Sequence, residues 1–246
     1  RASLQNQVPP SRICRIIKQM EAMATVKLNR LHLHLSDDAG WRLEVDSYPL
    51  LHRQAAWRVG AAWKDWAYGG QRYSREGDPE GSGGYLTKAD VKAILAAGER
   101  LGITVVPEIE MPGHSGEVTA AYPEVGCREG SRELCPGKES TFTLLESVLD
   151  EVMALFPSTY IHVGGDEASK RDWPDCADCQ ARMKAEGLSS VEELQSYLIR
   201  RIERYLNAHG RELVGWDEIL EGGLSPNATV MSWRGTEGGI QAMQEG

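Results

Sequence analysis

The sequence predicts an α/β fold of the (β/α)8 barrel type, truncated here to about five or six βα units. Three observations predict it. Short apolar runs alternate with amphipathic helical segments, the pattern of a parallel sheet covered by helices. The polar clusters fall just after the carboxyl ends of the expected strands, where the loops of a barrel build its site. Finally, the count comes to five strands with a helix first and last, so the expected unit is the middle of a barrel lacking its first strand and its last two. A doubly wound sheet is the structural alternative, but it would show a glycine-rich phosphate turn opening a helix, and the sequence has none. Residues 1–246 are expected to form a single partial barrel domain with a long loop excursion over 36–86.

After Pro9-Pro10-Ser11, Ile13, Ile16, Ile17, Met20 and Ala24 recur at helical spacing, with Ser11 as an N-cap candidate. A strand is expected at 28–35. The next helix opens on Thr87-x-x-Asp90, carries Val91, Ile94, Leu95 and Leu101, and stops at Gly102; residues 103–109 then read as a strand. Leu144, Leu145, Val148, Leu149 and Val152 mark a helix over 141–156, followed by a strand at 159–163. A helix from Ser190-x-x-Glu193 to 208 precedes Gly210 and a strand at 212–216. A fifth strand at 229–233 and an amphipathic stretch at 237–245 complete the pattern. The segment 36–86, with Trp57, Trp63, Trp66, Tyr68 and Tyr73, is too long for a linking turn. It is expected either to roof the site and contact an extended ligand, or to pack as an ordinary excursion.

At 246 residues and 41% hydrophobic, the chain is long enough to bury a sizeable core. A formal net charge of -9, with no run of Lys or Arg, argues against nucleic acid as a partner. No stretch approaches the roughly 18 consecutive apolar residues of a membrane span. Cys127 and Cys135 bracket a polar loop and are spaced to close a small disulfide. Cys176-Ala177-Asp178-Cys179 has the spacing of half a zinc site or a redox pair. With no second such pair beside it in the sequence, a local disulfide or free thiols is the expectation. Cys14, on the first helix, reads as a core residue.

Chemistry-bearing residues stand at four strand ends: His32-Leu33-His34-Leu35-Ser36-Asp37-Asp38, Glu108-Ile109-Glu110-Met111-Pro112-Gly113-His114-Ser115, His162-Val163-Gly164-Gly165-Asp166-Glu167, and Trp216-Asp217-Glu218. Strand alternation puts His32 and His34 on the inner face and Leu31, Leu33 and Leu35 toward the helices. Asp166 and Glu167 are the most informative pair. Two adjacent acids cannot both ionise cheaply, so one of them is expected to hold a proton near neutral pH. The plainer reading is that they cap a helix that follows.

Taken together, these segments, with Gly40-Trp41-Arg42 and Met231-Ser232-Trp233-Arg234, resemble the glycoside hydrolase family 20 β-N-acetylhexosaminidases, in the family's order and over most of the chain. The resemblance implies removal of terminal non-reducing N-acetylhexosamine from β-linked glycosides by a retaining mechanism through an oxazolinium intermediate, assisted by the substrate's own acetamido group. It assigns Glu167 as general acid and base and Asp166 as the group that holds the acetamido N–H. His114 and Asp37 would form a relay to the acid, Trp216 and Trp233 two walls of the acetamido pocket, and His162 a further substrate contact. Glu110 and Asp217 are candidate supporting partners. Arg1 is the candidate for a sugar-binding arginine at the end of the family's first strand, although its spacing to the first helix is longer than the family's. A Tyr and an Asp from the family's seventh strand, and a Trp and a Glu from its eighth, fall beyond Gly246.

The resemblance implies no cofactor and no metal. The implied partner is an oligosaccharide or glycoconjugate carrying terminal β-linked N-acetylhexosamine. The cysteines and that substrate class together favour export to a periplasm or outside the cell. Two other functions remain open on the residues. His32-x-His34 is a plausible metal arm of an amidohydrolase, which needs further histidines at later strand ends. A degenerate or truncated carbohydrate-binding protein would use the tryptophans without turnover.

Overall fold

The structure is a computed structural model and describes residues 10–245. In chain order it contains α1 (Pro10–Thr25), β1 (Arg30–His34), β2 (Trp57–Val59), α2 (Trp63–Tyr68), β3 (Gly81–Gly83), α3 (Lys88–Leu101), β4 (Thr104–Glu108), α4 (Gly116–Ala121), α5 (Glu139–Leu155), β5 (Tyr160–His162), α6 (Ala177–Glu186), α7 (Val191–Ala208), β6 (Glu212–Trp216), β7 (Thr229–Met231) and α8 (Glu237–Glu245). Five strands form one parallel sheet in the order β1-β4-β5-β6-β7. Each step between neighbours is a crossover in one direction, so all five carboxyl ends lie along one rim, as the barrel expectation requires.

The helices form where the sequence supplies both an apolar stripe and an end signal. Thr87 Oγ1 accepts from Asp90 N (3.1 Å) while Asp90 Oδ2 accepts from Thr87 N (2.9 Å), and Gly102 closes α3 at φ 67°. Ser190 Oγ accepts from Glu193 N (3.2 Å) at the start of α7. Their inner faces bury Ile94, Val148, Leu149, Leu198 and Ile202 completely against Val105, Ile161 and Leu213 of the sheet. Full burial of one such side chain stabilises by about 1.5–3 kcal/mol. Leu31, Leu33 and Leu35 pack on this core as alternation demands.

Several details differ from the sequence reading. The described first helix already includes Pro10, so Ser11 lies within it and not ahead of it. Cys14 is exposed and not part of the core. The fifth strand stops at Met231. The excursion 36–86 is a packed substructure: β2 and β3 pair antiparallel, Trp57 and Trp66 are buried, and Trp63 and Tyr68 are exposed. Helix α6 was not expected, because of its residues only Cys179 is buried and it carries no apolar stripe to read.

Candidate active site

The loops after β1, β4, β5, β6 and β7 converge on one cavity of about 350 Å³ lined by His34, Asp37, Glu110, His114, Asp166, Glu167, Trp216 and Trp233. This lies at the small end of ligand pockets. His114 is the centre of its acidic side. Its Nε2 lies 3.4 Å from both Asp166 Oδ2 and Glu167 Oε2, and its Nδ1 lies 3.5 Å from both Asp37 Oδ1 and Asp38 Oδ2. Hydrogen bonding to Asp166, then to Asp37 and Asp38, pushes the imidazole far above its ordinary range, so it is an imidazolium. Burial pulls the Asp37 carboxyl up, but His114 and His34 override it and hold Asp37 well below the usual carboxylate range.

Backbone shape delivers the acids to this point. No helix follows Asp166-Glu167 directly; the next one, α6, starts at Ala177 with Cys176 as its N-cap, so the capping reading fails. Instead Gly164 (φ 67°) and Gly165 (φ 95°) turn the chain sharply at the end of β5. At Gly164 a Cβ would lie 1.7 Å from Glu110 Oε2, so any side chain there would have to displace that acid as well as adopt the left-handed backbone. Glu167 (φ 47°) and His114 (φ 46°) both occupy the left-handed region, which costs an ordinary residue roughly 1 kcal/mol. Two such residues facing one another across the cavity mark it as a place where geometry is held against local preference. Gln195 of α7, fully buried, donates from Nε2 to Gly165 O (2.7 Å) and braces the turn from behind.

Beneath the cavity sits a second set of acids and imidazoles. The sheet register aligns His34 with Glu108 and Glu108 with His162. Glu108, fully buried, has His32 Nε2 and His162 Nδ1 each 3.0 Å away, touches His34 Nδ1, and accepts from Trp216 Nε1 (3.0 Å). Burial alone would raise this carboxyl, but the contacts with His162, His32 and His34 drive it far down, so it is an anion. His34 is raised to about 9 by Asp37 first and Glu108 second. Glu110 has no such company: among the described residues neither oxygen meets a hydrogen-bond donor, and burial, followed by the charges of Asp166 and Glu108, pushes it well above the carboxylate range. Glu110, which the sequence marked only as a supporting partner, is thus an acid whose proton affinity the surroundings raise.

The apolar wall comes from β6 and β7. Trp216 packs on the His162 ring (4.8 Å between centroids) and is fixed by Glu108. Trp233 is half-exposed and held by the two acids after β6: its backbone N–H donates to Asp217 Oδ1 (3.1 Å) and its indole Nε1 to Glu218 Oε2 (3.0 Å). Asp217 also accepts from Arg234 Nε (2.8 Å).

Of the residues expected in the site, Glu167, Asp166, His114, Asp37, Trp216 and Trp233 come together. His162 does not line the cavity; it is fully buried against Glu108 and acts from below. Arg1 lies outside the described residues. Glu108 was quoted without a role, although strand alternation puts it on the same inward face as the histidines. Asp38 was likewise missed: its Oδ1 accepts from Gly116 N (3.0 Å) and pairs with Arg132 (3.0 Å), whose guanidinium lies over Trp66. Of the excursion's aromatics, Trp66 and Tyr73 reach the site through Arg132 and Asp38, and none of the five lines the cavity. His32 with Glu108 and His162, and separately His34 with Glu108 and Glu110, have metal-ligating spacing. However, the ends of β6 and β7 supply tryptophan and acids in place of the further histidines an amidohydrolase needs.

A parallel barrel sheet whose strand-end acids, imidazolium and indoles share one cavity has the build of a (β/α)-barrel enzyme. The chain belongs to glycosyl hydrolase family 20: residues 8–246 match the family's catalytic domain. It is 44% identical over 238 residues to a beta-hexosaminidase of Porphyromonas gingivalis, covering 92% of this chain and 29% of that protein. A Vibrio furnissii beta-hexosaminidase is 35% identical, covering 97% of this chain and 39% of the relative. The crystal structure of a Bacteroides fragilis beta-N-acetylhexosaminidase superposes with a TM-score of 0.79 at 33% identity, covering 95% of this chain and 46% of that one. The chain thus spans less than half the length of these relatives.

Proposed function

We propose that the protein containing this chain is a β-N-acetylhexosaminidase that removes terminal non-reducing N-acetylhexosamine with retention of configuration. The observation that carries this reading is that Asp166 and Glu167 reach the same nitrogen of His114 at the same distance. Acids so placed approach a sugar from one side. A retaining glycosidase with its own nucleophile instead sets its two carboxyls about 5–5.5 Å apart across the bond, and this family is an exception in which the substrate's acetamido group attacks.

In the first step Glu167 gives its proton to the glycosidic oxygen as the C1–O bond breaks. The acetamido carbonyl oxygen bonds to C1, forming the oxazolinium ion. Asp166 accepts a hydrogen bond from the acetamido N–H and stabilises the positive charge that develops there. In the second step Glu167 takes a proton from water, the hydroxyl bonds to C1 on the face the leaving group vacated, and the bond to the acetamido oxygen breaks. The His114 imidazolium, anchored by Asp37 and Asp38, stabilises the Glu167 carboxylate between the two steps. Trp216 and Trp233 offer flat faces to the sugar C–H surface and the acetamido methyl.

The test uses the full-length protein and two aryl glycosides, one with the 2-acetamido group and one with hydroxyl in its place. Hydrolysis is expected of the first alone, and Glu167→Gln is expected to lower kcat by about 10²–10⁴-fold with little change in the affinity of a non-hydrolysed N-acetylglucosamine analogue. Equal turnover of both glycosides overturns the acetamido's role, and full activity of the variant removes Glu167 from its role.

A further inference from the structure

We propose that Cys127, Cys135, Cys176 and Cys179 form a structural zinc site that ties together the two loops carrying His114 and Glu167. The four residues come from segments about 40 to 50 positions apart, which is why the sequence shows only half a site at Cys176-x-x-Cys179. In the structure one sulfur from each residue lies within 4.8 Å of the other three. Cys135 lies 3.4 Å from Cys179 and 3.6 Å from Cys176, and Cys127 lies 3.7 Å from Cys179. A tetrahedron of thiolates at a zinc–sulfur distance of about 2.3 Å has edges of about 3.8 Å, so the cluster has the dimensions of a four-thiolate site.

The surroundings are built for it. Cys135 and Cys179 are fully buried and Cys176 nearly so, packed with Trp173 and Leu194 in a cluster separate from the main core. Cys176 is the N-cap of α6 and Cys179 stands in its first turn, the two-residue spacing of a zinc knuckle. Gly137 lets its loop press onto that turn, since a Cβ there would lie 2.3 Å from Cys179 N. Sulfurs this close cannot all be anionic unless a cation lies among them; zinc binding displaces the four thiol protons and supplies that charge.

The consequence for the site is positional. The same two loops are stitched by Trp173 Nε1 donating to Leu134 O (3.2 Å), Ser131 Oγ to Asp172 (2.8 Å) and Lys170 N to Glu133 Oε2 (2.9 Å). One loop leads back to His114 and the other to Glu167. The zinc site closes the far end of this seam.

Elemental analysis of the full-length protein, purified without chelator, tests the site together with non-reducing intact-mass measurement. About one zinc per chain, resistant to dialysis and released by a thiol-specific mercurial, is the expected result. Cobalt substitution should give a thiolate-to-metal charge-transfer band. Cys135→Ser should abolish binding. Should that variant not fold, the half-buried Cys127→Ser leaves three ligands and should weaken zinc retention against a competing chelator at least tenfold. A metal-free protein whose mass shows disulfides among these residues, a metal-free protein with four alkylatable thiols, or unchanged retention in Cys127→Ser would each overturn the proposal.

Discussion

Glu108 and Glu110 stand two residues apart at the end of β4, both almost completely buried, yet the fold drives their carboxyls in opposite directions. Glu108 is ringed by three histidines and the Trp216 indole and is an anion. Glu110 faces the acids Asp166 and Glu108 and makes no hydrogen bond among the described residues, and burial followed by those charges raises its carboxyl well above the ordinary range. The difference shows that burial alone does not decide: it raises both carboxyls, and only the histidines around Glu108 reverse it. It also divides the work under the cavity. The anion fixes the imidazoles and Trp216 in place, while the raised acid, next to Asp166, resists adding a second negative charge there.

Removing the anion is expected to have the largest effect. Glu108→Gln leaves the imidazoles and an indole N–H facing an uncharged amide that cannot satisfy them all. Breaking a buried pair by deleting one charge typically costs about 3–5 kcal/mol, and a fall of that size in unfolding free energy by urea titration at pH 7 is expected. The pH dependence carries a sign. A carboxyl depressed in the folded state contributes stability above its unfolded value near 4.5 that is lost as pH falls through the folded one. The gap between wild type and Glu108→Gln should therefore narrow as the solution is acidified below 4.5.

Glu110→Gln should behave in the opposite way. Glutamine resembles the protonated acid in shape and charge, so the stability change near the carboxylate's ordinary value should be within about 1 kcal/mol. Because the folded state raises this carboxyl, its favourable contribution is complete below 4.5 and is lost as pH rises through the higher folded value. The variant escapes that loss and should gain on the wild type as pH rises. Urea midpoints across the pH range would decide it: difference curves of the same sign for the two variants would show that the acids are not distinct.

Much of the scaffold under this pair was legible in the sequence. Strand 212–216 has the boundaries its apolar run and Gly210 imply, and the helices opened by Thr87 and Ser190 start where those caps place them. These features are local. Helix α6 was not legible, because its buried side is a cysteine that packs only once Cys135 has been delivered from another loop. Nor was the turn at Gly164-Gly165, where a helix cap and an active-site turn share the same letters and only the backbone distinguishes them. The strand-end pattern picked out Asp37, His114, Asp166, Glu167 and Trp216 as candidates, while their roles, and Trp233 itself, came from the family resemblance. The charge on Glu108 or Glu110 was not legible, since it depends on the register that brings His32, His34 and His162 into contact with one acid and only His34, at 3.8 Å, near the other.

The smallest expected effect belongs to His34, which lies between the two acids and Asp37. Its Nδ1 touches Glu108 and lies 3.8 Å from Glu110 Oε1, and its Nε2 lies 3.9 Å from Asp37. Asp37 and Glu108 raise it from 6.5 to about 9. A histidine raised on folding contributes stability that is fully present below 6.5 and is lost as pH climbs to 9. Because the ring is half-exposed, solvent screens much of this contribution. The wild-type melting temperature should therefore fall between pH 6.5 and 9 slightly more steeply than that of His34→Gln, the two differing most at the acid end of the window. The same interval separates His34 from Glu110 as the source of the slope. If His34 is the source, the His34→Gln profile flattens while Glu110→Gln keeps a wild-type step there; if the step vanishes only in Glu110→Gln, the imidazole was neutral throughout and Glu108 holds its charge through His32 and His162 alone.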